Sequence, residues 1–323
     1  MKPTFFRILI AFICLALLVG RYWWPTGTAL GLLNIPLLLW GLWQIWKHRK
    51  AARNWLSWGV ISLTVLLGVN LVGEQLWRLR FPASIDKPQE VSILTYNLFF
   101  RNLYPEVVLR EIQNNPADIL LVQEFTPEWK ARLAKVTGHY PYQRHFERKG
   151  AQGFGLYSKY PIRKSYRLRG DKKRFVSQIS TLSINGKEVV LVNGHLRSPA
   201  LAVENPDNFI SLWDHVYKAR KIELEALEKD LAPYSPETPM ILAGDLNTMR
   251  IEPIYRDLRH TWGDVFVRKG KGPGQTFPNV ASIPYPVMRL DYILYRGPVK
   301  PLEARVLQKG SSDHLAVWGK VGI

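Results

Sequence analysis

The sequence has almost no cysteine: Cys14 is the only one in 323 residues, and it lies in an apolar stretch. A disulfide framework is therefore excluded, while the redox compartment stays open. Acidic residues are also scarce, with 26 Asp and Glu against 44 Lys and Arg, which gives a formal net charge of +18. This balance favours anionic partners, either nucleic-acid phosphates or lipid head groups.

Several catalytic signatures are missing too. The sequence contains neither a G-x-S-x-G elbow nor an H-E-x-x-H motif, which argues against the hydrolase classes that use them. Ser311 and Ser312 precede Asp313 and His314, but neighbours on a strand point to opposite faces and do not make a triad. The glycine-rich stretch 270–279 follows no clear strand and opens no helix, so a nucleotide-binding loop is disfavoured.

Charge is nearly absent from parts of the first 80 residues. Segments near 5–22, 27–46 and 55–73 are apolar, and the last two carry no charged residue. A helix of about 20 residues spans the hydrocarbon layer of a bilayer, and Trp and Tyr cluster near the segment ends. The sequence predicts a membrane anchor over 1–80, then a linker over 81–89. The alternatives are three core helices of a soluble domain and, for the first segment, a cleaved signal peptide.

Basic residues also predict the orientation of this anchor. The loop 47–53 holds four Lys or Arg, and the N-terminus adds Lys2 and Arg7. Since positive loops favour the cytoplasmic side, we expect a multi-pass protein of the inner or plasma membrane. Its C-terminal domain, residues 90–323, is then expected outside the cytoplasm.

In that domain, polar residues repeatedly stand at one end of a short apolar run. Such runs, bounded by turn residues, are typical of buried strands, and polar groups at strand ends can meet at one edge of a sheet. Carboxylate and amide oxygens beside imidazoles suit the chemistry of hard cations and phosphate. The residues concerned are Asn97, Gln123, Glu124, His195, Asp245, Asn247, Asp291, Asp313 and His314.

The motifs that carry these residues resemble a known superfamily. LTYN, VQE, NGHL, GDLN, RLDYI and SDH occur in that order and resemble the endonuclease/exonuclease/phosphatase superfamily from about residue 90 onward. The resemblance implies an α/β fold: a four-layer sandwich of two mixed β-sheets flanked by helices. The apolar segments near 5–22, 27–46 and 55–73 add three predicted transmembrane helices before it. Helical patterns occur at 105–114, 127–137 and 208–231. The NGHLRS block resembles the deoxyribonuclease I, sphingomyelinase and phosphatase branches, which argues against abasic-site repair.

The resemblance also implies roles for the residues. Glu124 would be a ligand of Mg²⁺, with Mn²⁺ as a plausible substitute, and Asn97 and Asp313 would help directly or through water. Asp245 would activate or orient the attacking water, with Asn247 as its hydrogen-bonding companion. The residue types agree with these roles, since Mg²⁺ prefers oxygen ligands and a carboxylate can take a proton from water.

The two histidines complete the predicted site. A carboxylate on one imidazole nitrogen fixes the tautomer and stabilises the imidazolium, so the pair His314 and Asp291 would stabilise the transition state. His195 would act as general acid toward the leaving oxygen. Arg197, just after it, is a candidate for holding phosphate.

These residues predict a membrane-anchored, divalent-metal-dependent phosphoesterase that cuts phosphodiester or phosphomonoester bonds. Its expected partners are the lipid bilayer and a phosphate-ester substrate, either nucleic acid or a phospholipid head group; no protein partner is inferred. The basic run 163–174 suits either substrate, or is simply a solvated hairpin tip. The alternative function is a non-catalytic membrane-bound domain that binds phosphorylated ligands.

Overall fold

The structure, a computed structural model, describes residues 88–170, 174–280, 282–283, 285–308 and 310–323. Within these ranges no helix is long and apolar enough to cross a membrane. The predicted transmembrane segments near 5–22, 27–46 and 55–73, and most of the linker 81–89, lie outside the described residues. The described residues form one compact unit, apart from Arg250–Asp257.

The first sheet has six strands in the order β11-β12-β1-β2-β4-β3. Only its β1–β2 pair is parallel, and the other neighbours run antiparallel. Its strands are β1 (Glu90–Asn97), β2 (Ile119–Gln123), β3 (Tyr142–Phe146), β4 (Phe154–Ser158), β11 (Lys300–Val306) and β12 (Val317–Gly322).

The second sheet also has six strands, in the order β5-β6-β7-β8-β10-β9. Here β7 and β8 are the parallel pair, so both sheets are mixed. Its strands are β5 (Ile162–Arg169), β6 (Phe175–Ile184), β7 (Lys187–His195), β8 (Met240–Asp245), β9 (Gly263–Asp264) and β10 (Asp291–Arg296). The predicted basic run 163–174 is thus largely an edge strand, not only a hairpin tip.

Helices occupy the connections between strands. They are α1 (Pro105–Asn114), α2 (Pro127–Leu133), α3 (Ala200–Val203), α4 (Phe209–Leu231), α5 (Pro253–Thr261) and α6 (Val265–Lys269), with a 3-10 turn at Pro206–Asn208. The three predicted helical patterns are confirmed, although the second ends at Leu133. Thr126 accepts a hydrogen bond from the backbone of Trp129 and so caps α2.

The core explains why the strands are apolar on both faces. Along β1, Val91 and Ile93 belong to a cluster between the two sheets, while Leu94 and Tyr96 belong to a cluster that includes α1 and α2. Side chains alternate across a strand, so a strand covered on both sides reads as a continuous apolar run. The predicted sandwich of two mixed sheets flanked by helices is confirmed.

Candidate active site

The two sheets bring their polar strand ends together. In the second sheet, His195 on β7 is the register partner of Asp245 on β8, and Asp245 is the register partner of Asp291 on β10. In the first sheet, Asn97 ends β1 and donates from Nδ2 to Asp245 Oδ2 at 3.1 Å. This hydrogen bond links the two sheets at the centre of the predicted site.

Asp245 is held rigidly by the turn that follows β8. Asn247 donates to it twice, from its backbone nitrogen to Oδ1 at 2.9 Å and from Nδ2 to Oδ2 at 3.0 Å. Asn247 adopts a φ of 46°, a left-handed conformation that Asn tolerates better than most residues. Burial raises the pKa of Asp245, as does the Asp291 carboxylate, and despite the opposing charge of His314 it reaches about 7.

His314 and Asp291 form the expected imidazole–carboxylate pair. Nδ1 of His314 lies 2.8 Å from Asp291 Oδ2, which leaves Nε2 to face Asp245 Oδ2 at 3.7 Å. Burial lowers the pKa of His314, but the Asp291 and Asp245 carboxylates outweigh it and raise that pKa to about 10. The imidazole is therefore a cation at neutral pH in this environment.

His195 lies on the other side of Asp245 and differs in charge. Its Nε2 is 3.6 Å from Asp245 Oδ2, and its side chain is buried. Burial, and then the positive charges of Arg174 and His314, lower its pKa well below the usual value. A neutral His195 can donate a hydrogen bond to a phosphate-ester oxygen; its role as general acid stays a prediction.

The predicted metal ligands lie beside this centre. Glu124 accepts from the backbone nitrogen of Phe100 at 2.9 Å and from Asn97 Nδ2 at 3.3 Å. Its φ of 57° is costly for a residue with a long side chain. Strain of this kind persists where the surrounding structure fixes a residue, as at functional sites.

The electrostatics of these carboxylates fit a divalent cation. Burial raises the pKa of Glu124, and the Asp313 carboxylate raises it further. Burial also raises the pKa of Asp313, with a contribution from Asp291. A divalent cation relieves such repulsion and is held by oxygen ligands of this type. Asn97 presents its amide nitrogen to Glu124 and Asp245, with Oδ1 accepting from Phe99, so its ligand role stays a prediction.

A second group of side chains meets the geometric requirement for a metal. Among the described residues, ligand atoms of Asp245, Asp291 and His314 all lie within 4.8 Å of one another. However, Nδ1 of His314 already bonds Asp291, and a cationic imidazole cannot ligate a metal. This group is suited to proton and charge chemistry, and the metal role of Glu124, Asn97 and Asp313 stays a prediction.

Two of the predicted residues have structural contacts. Gln123 is buried between the sheets, where its Nε2 donates to Asn193 Oδ1 at 2.7 Å and to Thr95 Oγ1 at 3.0 Å. Arg197 is close to Glu223: its backbone nitrogen donates to Oε2 at 2.9 Å, and its Nε lies 3.5 Å from Oε1. The role of Arg197 in substrate binding stays a prediction.

The structure adds residues that the motifs did not indicate. Arg174 donates to the carbonyl oxygens of His195 and Leu196 at 3.1 and 3.2 Å. Arg220 on α4 is fully buried and donates to the carbonyl oxygen of Asn247. Glu223 comes three positions after Arg220, and both lie on the apolar side of α4. Charged residues on the apolar face of a predicted helix were the signal that could have indicated them.

The fold and site together define an α/β sandwich with a buried acid–imidazole centre at one end. The model of the Endonuclease/Exonuclease/phosphatase family matches residues 94–314, and the chain belongs to that family. Its members are generally metal-dependent phosphoester hydrolases. No curated protein matches the chain significantly in sequence.

Solved structures share this fold at low sequence identity. An endonuclease/exonuclease/phosphatase from Bacteroides vulgatus is 17% identical with a TM-score of 0.60, over 73% of this chain and 99% of the other. D. rerio TDP2 complexed with single strand DNA product is 17% identical with a TM-score of 0.58, over 73% and 100%. A functionally unknown conserved protein from Enterococcus faecalis V583 is 17% identical with a TM-score of 0.59, over 72% and 100%.

Proposed function

We propose that the protein is a divalent-metal-dependent phosphoesterase in which Asp245 activates the attacking water. The observation that carries this proposal is the set of polar groups around one carboxylate oxygen, Asp245 Oδ2. Asp245 Oδ2 accepts from Asn97 and Asn247 and faces Nε2 of both His195 and His314 at 3.6 and 3.7 Å. A carboxylate oriented by two amides and flanked by two imidazoles is suited to proton transfer at phosphorus.

In this mechanism each residue has one task. Asp245 takes a proton from water as the water oxygen bonds to phosphorus and the bond to the leaving oxygen breaks. His195 donates a hydrogen bond from its N–H to that leaving oxygen, and the proton taken up by Asp245 is passed on through solvent to protonate it. The His314–Asp291 pair places positive charge near the phosphoryl oxygens. Asn97 and Asn247 keep the Asp245 carboxylate in place.

Glu124 and Asp313, with Asn97 beside them, would hold Mg²⁺ or Mn²⁺. The cation, when bound, neutralises phosphate charge and polarises the phosphorus. Without a cation these carboxylates repel one another, so binding of a divalent cation would stabilise the site.

The substrate in this proposal is a phosphodiester or phosphomonoester of nucleic acid or of a phospholipid head group. A structural neighbour, D. rerio TDP2, is described with a single-strand DNA product, which favours nucleic acid. The apolar segments near 5–22, 27–46 and 55–73 instead favour a lipid substrate, since they would place the site beside a bilayer.

A substrate panel tests the activity. The full chain would be incubated with DNA, RNA, sphingomyelin, phosphatidyl lipids and inositol phosphates in Mg²⁺ or Mn²⁺, beside Asp245→Asn as the inactive reference. We expect at least one class to be hydrolysed by the wild type only. Ligand binding without hydrolysis of any class would support the binding module instead.

We also propose that residues 1–80 anchor the protein in the inner or plasma membrane, with the domain outside the cytoplasm. Support comes from the uncharged segments and the basic loop 47–53. The chain should stay with membranes after an alkaline wash, and protease added to cells with a permeabilised outer layer should remove the domain. Protection until the inner membrane is broken would reverse the topology.

A further inference from the structure

A second charged feature lies away from the acid–imidazole centre, where the edges of the two sheets meet. β3 is the last strand of the first sheet and β5 the last of the second, and the two lie in contact. Arg144 pairs across the ladder with Leu156, a residue of the core between the sheets. Arg144 and, two residues on, Phe146 therefore face the second sheet, since partners in a ladder share a face.

Arginines and phenylalanines stack across this junction. The Arg167 guanidinium lies 5.2 Å from the ring centroid of Phe146 on β3 and 3.9 Å from that of Phe175 on β6. Arg169 lies over the Phe175 ring at 4.9 Å. We call Arg144, Phe146, Arg167, Arg169 and Phe175 the basic cleft.

The charge around the basic cleft is strongly one-sided. The described residues of 142–151 and 162–174 carry eight Arg or Lys and one carboxylate. That carboxylate, Glu147, bonds Lys130 at 2.8 Å. Arg144 and Arg169 are exposed, and Arg167 is half-buried. A strip of this kind attracts a polyanion.

The basic cleft leads toward the reaction centre. Ser177, near the start of β6, is the register partner of Gly194, which precedes His195. Arg174, next to Phe175, donates to the carbonyl oxygens of His195 and Leu196. A ligand that leaves the site past His195 therefore meets Arg174 and then the cleft.

We propose that the basic cleft binds a single-stranded nucleic acid and guides one of its phosphodiesters to Asp245. The inference rests on the proposed function and names its substrate class. Alternate side chains along a strand repeat at about 7 Å, which suits successive phosphates. Ring and guanidinium planes provide surfaces on which bases stack.

The position of the apolar side chains favours nucleic acid over a lipid surface. A bilayer surface is bound by apolar groups that insert beneath the head groups, together with basic residues. The exposed aliphatic residues, such as Leu103, Ile210 and Val287, lie on other segments of the chain. The basic cleft offers aromatic rings already stacked on arginines, which a chain of bases can extend.

Charge reversal tests the proposal on the full chain. A fluorescein-labelled oligothymidylate of about 12 nucleotides would be titrated with the Asp245→Asn protein in EDTA, so that binding is measured without turnover. The further substitutions are made in this Asp245→Asn background. Adding Arg144→Glu with Arg169→Glu should weaken binding at least tenfold. The slope of log affinity against log salt should become shallower by at least ~1.4, or ~0.7 per lost contact.

Two further variants separate this result from trivial causes. Arg110→Glu with Lys187→Glu makes the same change of net charge at exposed positions on α1 and β7, and should alter binding less than about twofold. Phe146→Leu keeps every charge and should weaken binding about fivefold or more, through lost stacking. Thermal unfolding would verify that each variant folds.

Three results would overturn the cleft as a nucleic-acid track. They are equal losses in the two charge-reversal pairs, unchanged binding in all variants, and loss of binding only to phosphatidylcholine vesicles containing phosphatidylserine. Because binding is measured without turnover, failure of the substrate panel would reject the hydrolase proposal and leave this result standing.

Discussion

Asp245 receives its properties from neighbours that are far away in the chain. Its carboxylate contacts Asn97 from β1, His195 from β7 and His314 from the loop before β12. These contacts orient it for proton transfer and enclose it completely, so that its negative charge is unfavourable for folding. Its raised pKa means that the folded state prefers the protonated form and loses stability as pH rises above the pKa of an unfolded Asp.

Asp245→Asn should therefore separate activity from stability. The amide keeps the shape of the turn but cannot take a proton, so we expect a loss of about 10²–10⁴-fold in rate on the best substrate. Without metal at neutral pH, the variant should melt at the same temperature as the wild type or higher, because a buried charge is removed.

The matched control is Asp214→Asn, the same substitution at a carboxylate that pairs with Lys218 on the surface of α4. It should keep full activity. A normally folded Asp245→Asn that retains more than about a tenth of the wild-type rate would remove Asp245 from the water-activating role.

At the residue scale, the sequence was informative wherever a polar side chain ended an apolar run. Asn97, His195, Asp245, Asp291 and His314 all meet in the structure. Gln123 followed the same pattern and shares a face with its ladder partner Asn97, yet its amide is used in hydrogen bonds to Asn193 and Thr95 between the sheets. Arg174 did not follow this pattern, and its contact with Glu223 depends on how α4 packs against β5.

At the scale of elements, the site depends on how closely β7 and β8 approach each other. Gly244 has a φ of 146°, and a Cβ there would lie 2.0 Å from the carbonyl oxygen of Gly194 on the neighbouring strand. The backbones can run side by side at this point only without a side chain. Asp245 and His195, the next residue on each strand, are brought together as a result.

Gly244→Ala should lower both activity and the free energy of unfolding, the latter by at least ~2 kcal/mol. The added Cβ would force the Gly194 backbone to move, and the φ of Gly244 is unfavourable for alanine. Chemical denaturation would measure the change. Gly194→Ala is the matched control: its Cβ would meet only the side-chain ends of Leu242 and Leu246 at 3.1 Å. Equal losses in stability would show that strand proximity is not the cause.

The junction of β9 and α6 contains a buried ion pair that sets a pH limit. Arg289 donates to Asp264 Oδ1 at 2.9 Å, and both side chains are almost fully enclosed. Burial raises the pKa of Asp264, but the Arg289 guanidinium and its hydrogen bond outweigh this and hold it below the usual range. Asp264 therefore adds stability above the pKa of an unfolded Asp, about 3.9, and this stability is lost as pH falls through its lower folded value.

Asp264→Asn should cost about 3–5 kcal/mol near neutral pH, because it leaves the Arg289 charge enclosed without this carboxylate. The difference from the wild type should shrink as pH falls below about 4. Glu303→Gln, at the exposed pair with Arg305, is the control and should change little. A stability difference that stays constant with pH would contradict the assignment.

The strands and long helices could be predicted because each carries its own pattern of apolar residues and caps. The order of strands within the sheets could not, since pairing joins distant segments such as β1 and β12. The edge position of β5, which makes the basic cleft accessible, follows only from that order.

At the scale of the whole molecule, the excess of carboxylates at the site should couple folding to metal. If Glu124 holds Mg²⁺ or Mn²⁺, saturating metal should raise the melting temperature. At a metal concentration a hundredfold above Kd, the free energy of unfolding should increase by about 2.7 kcal/mol. EDTA should remove both this gain and the activity.

Two Glu→Gln variants check that metal effect. Glu124→Gln should abolish the thermal shift, while Glu128→Gln, at an exposed position nearby on α2, should keep it. Full activity in excess EDTA would remove the metal from the mechanism.

The order in which the strands are made has a consequence for synthesis. The second sheet, β5 to β10, is nested in the chain between two parts of the first, whose β1 is flanked by β2 and β12. As the ribosome works from the N-terminus, β1 has an open edge until the last strand appears, and His314 emerges only just before it. Asp245 and His195 are therefore synthesised before His314, with which they form the site. During this time the open edge of β1 could pair with other chains, so the nascent chain needs protection from edge-to-edge aggregation. The proposed catalytic centre therefore cannot assemble until the chain has been synthesised through His314.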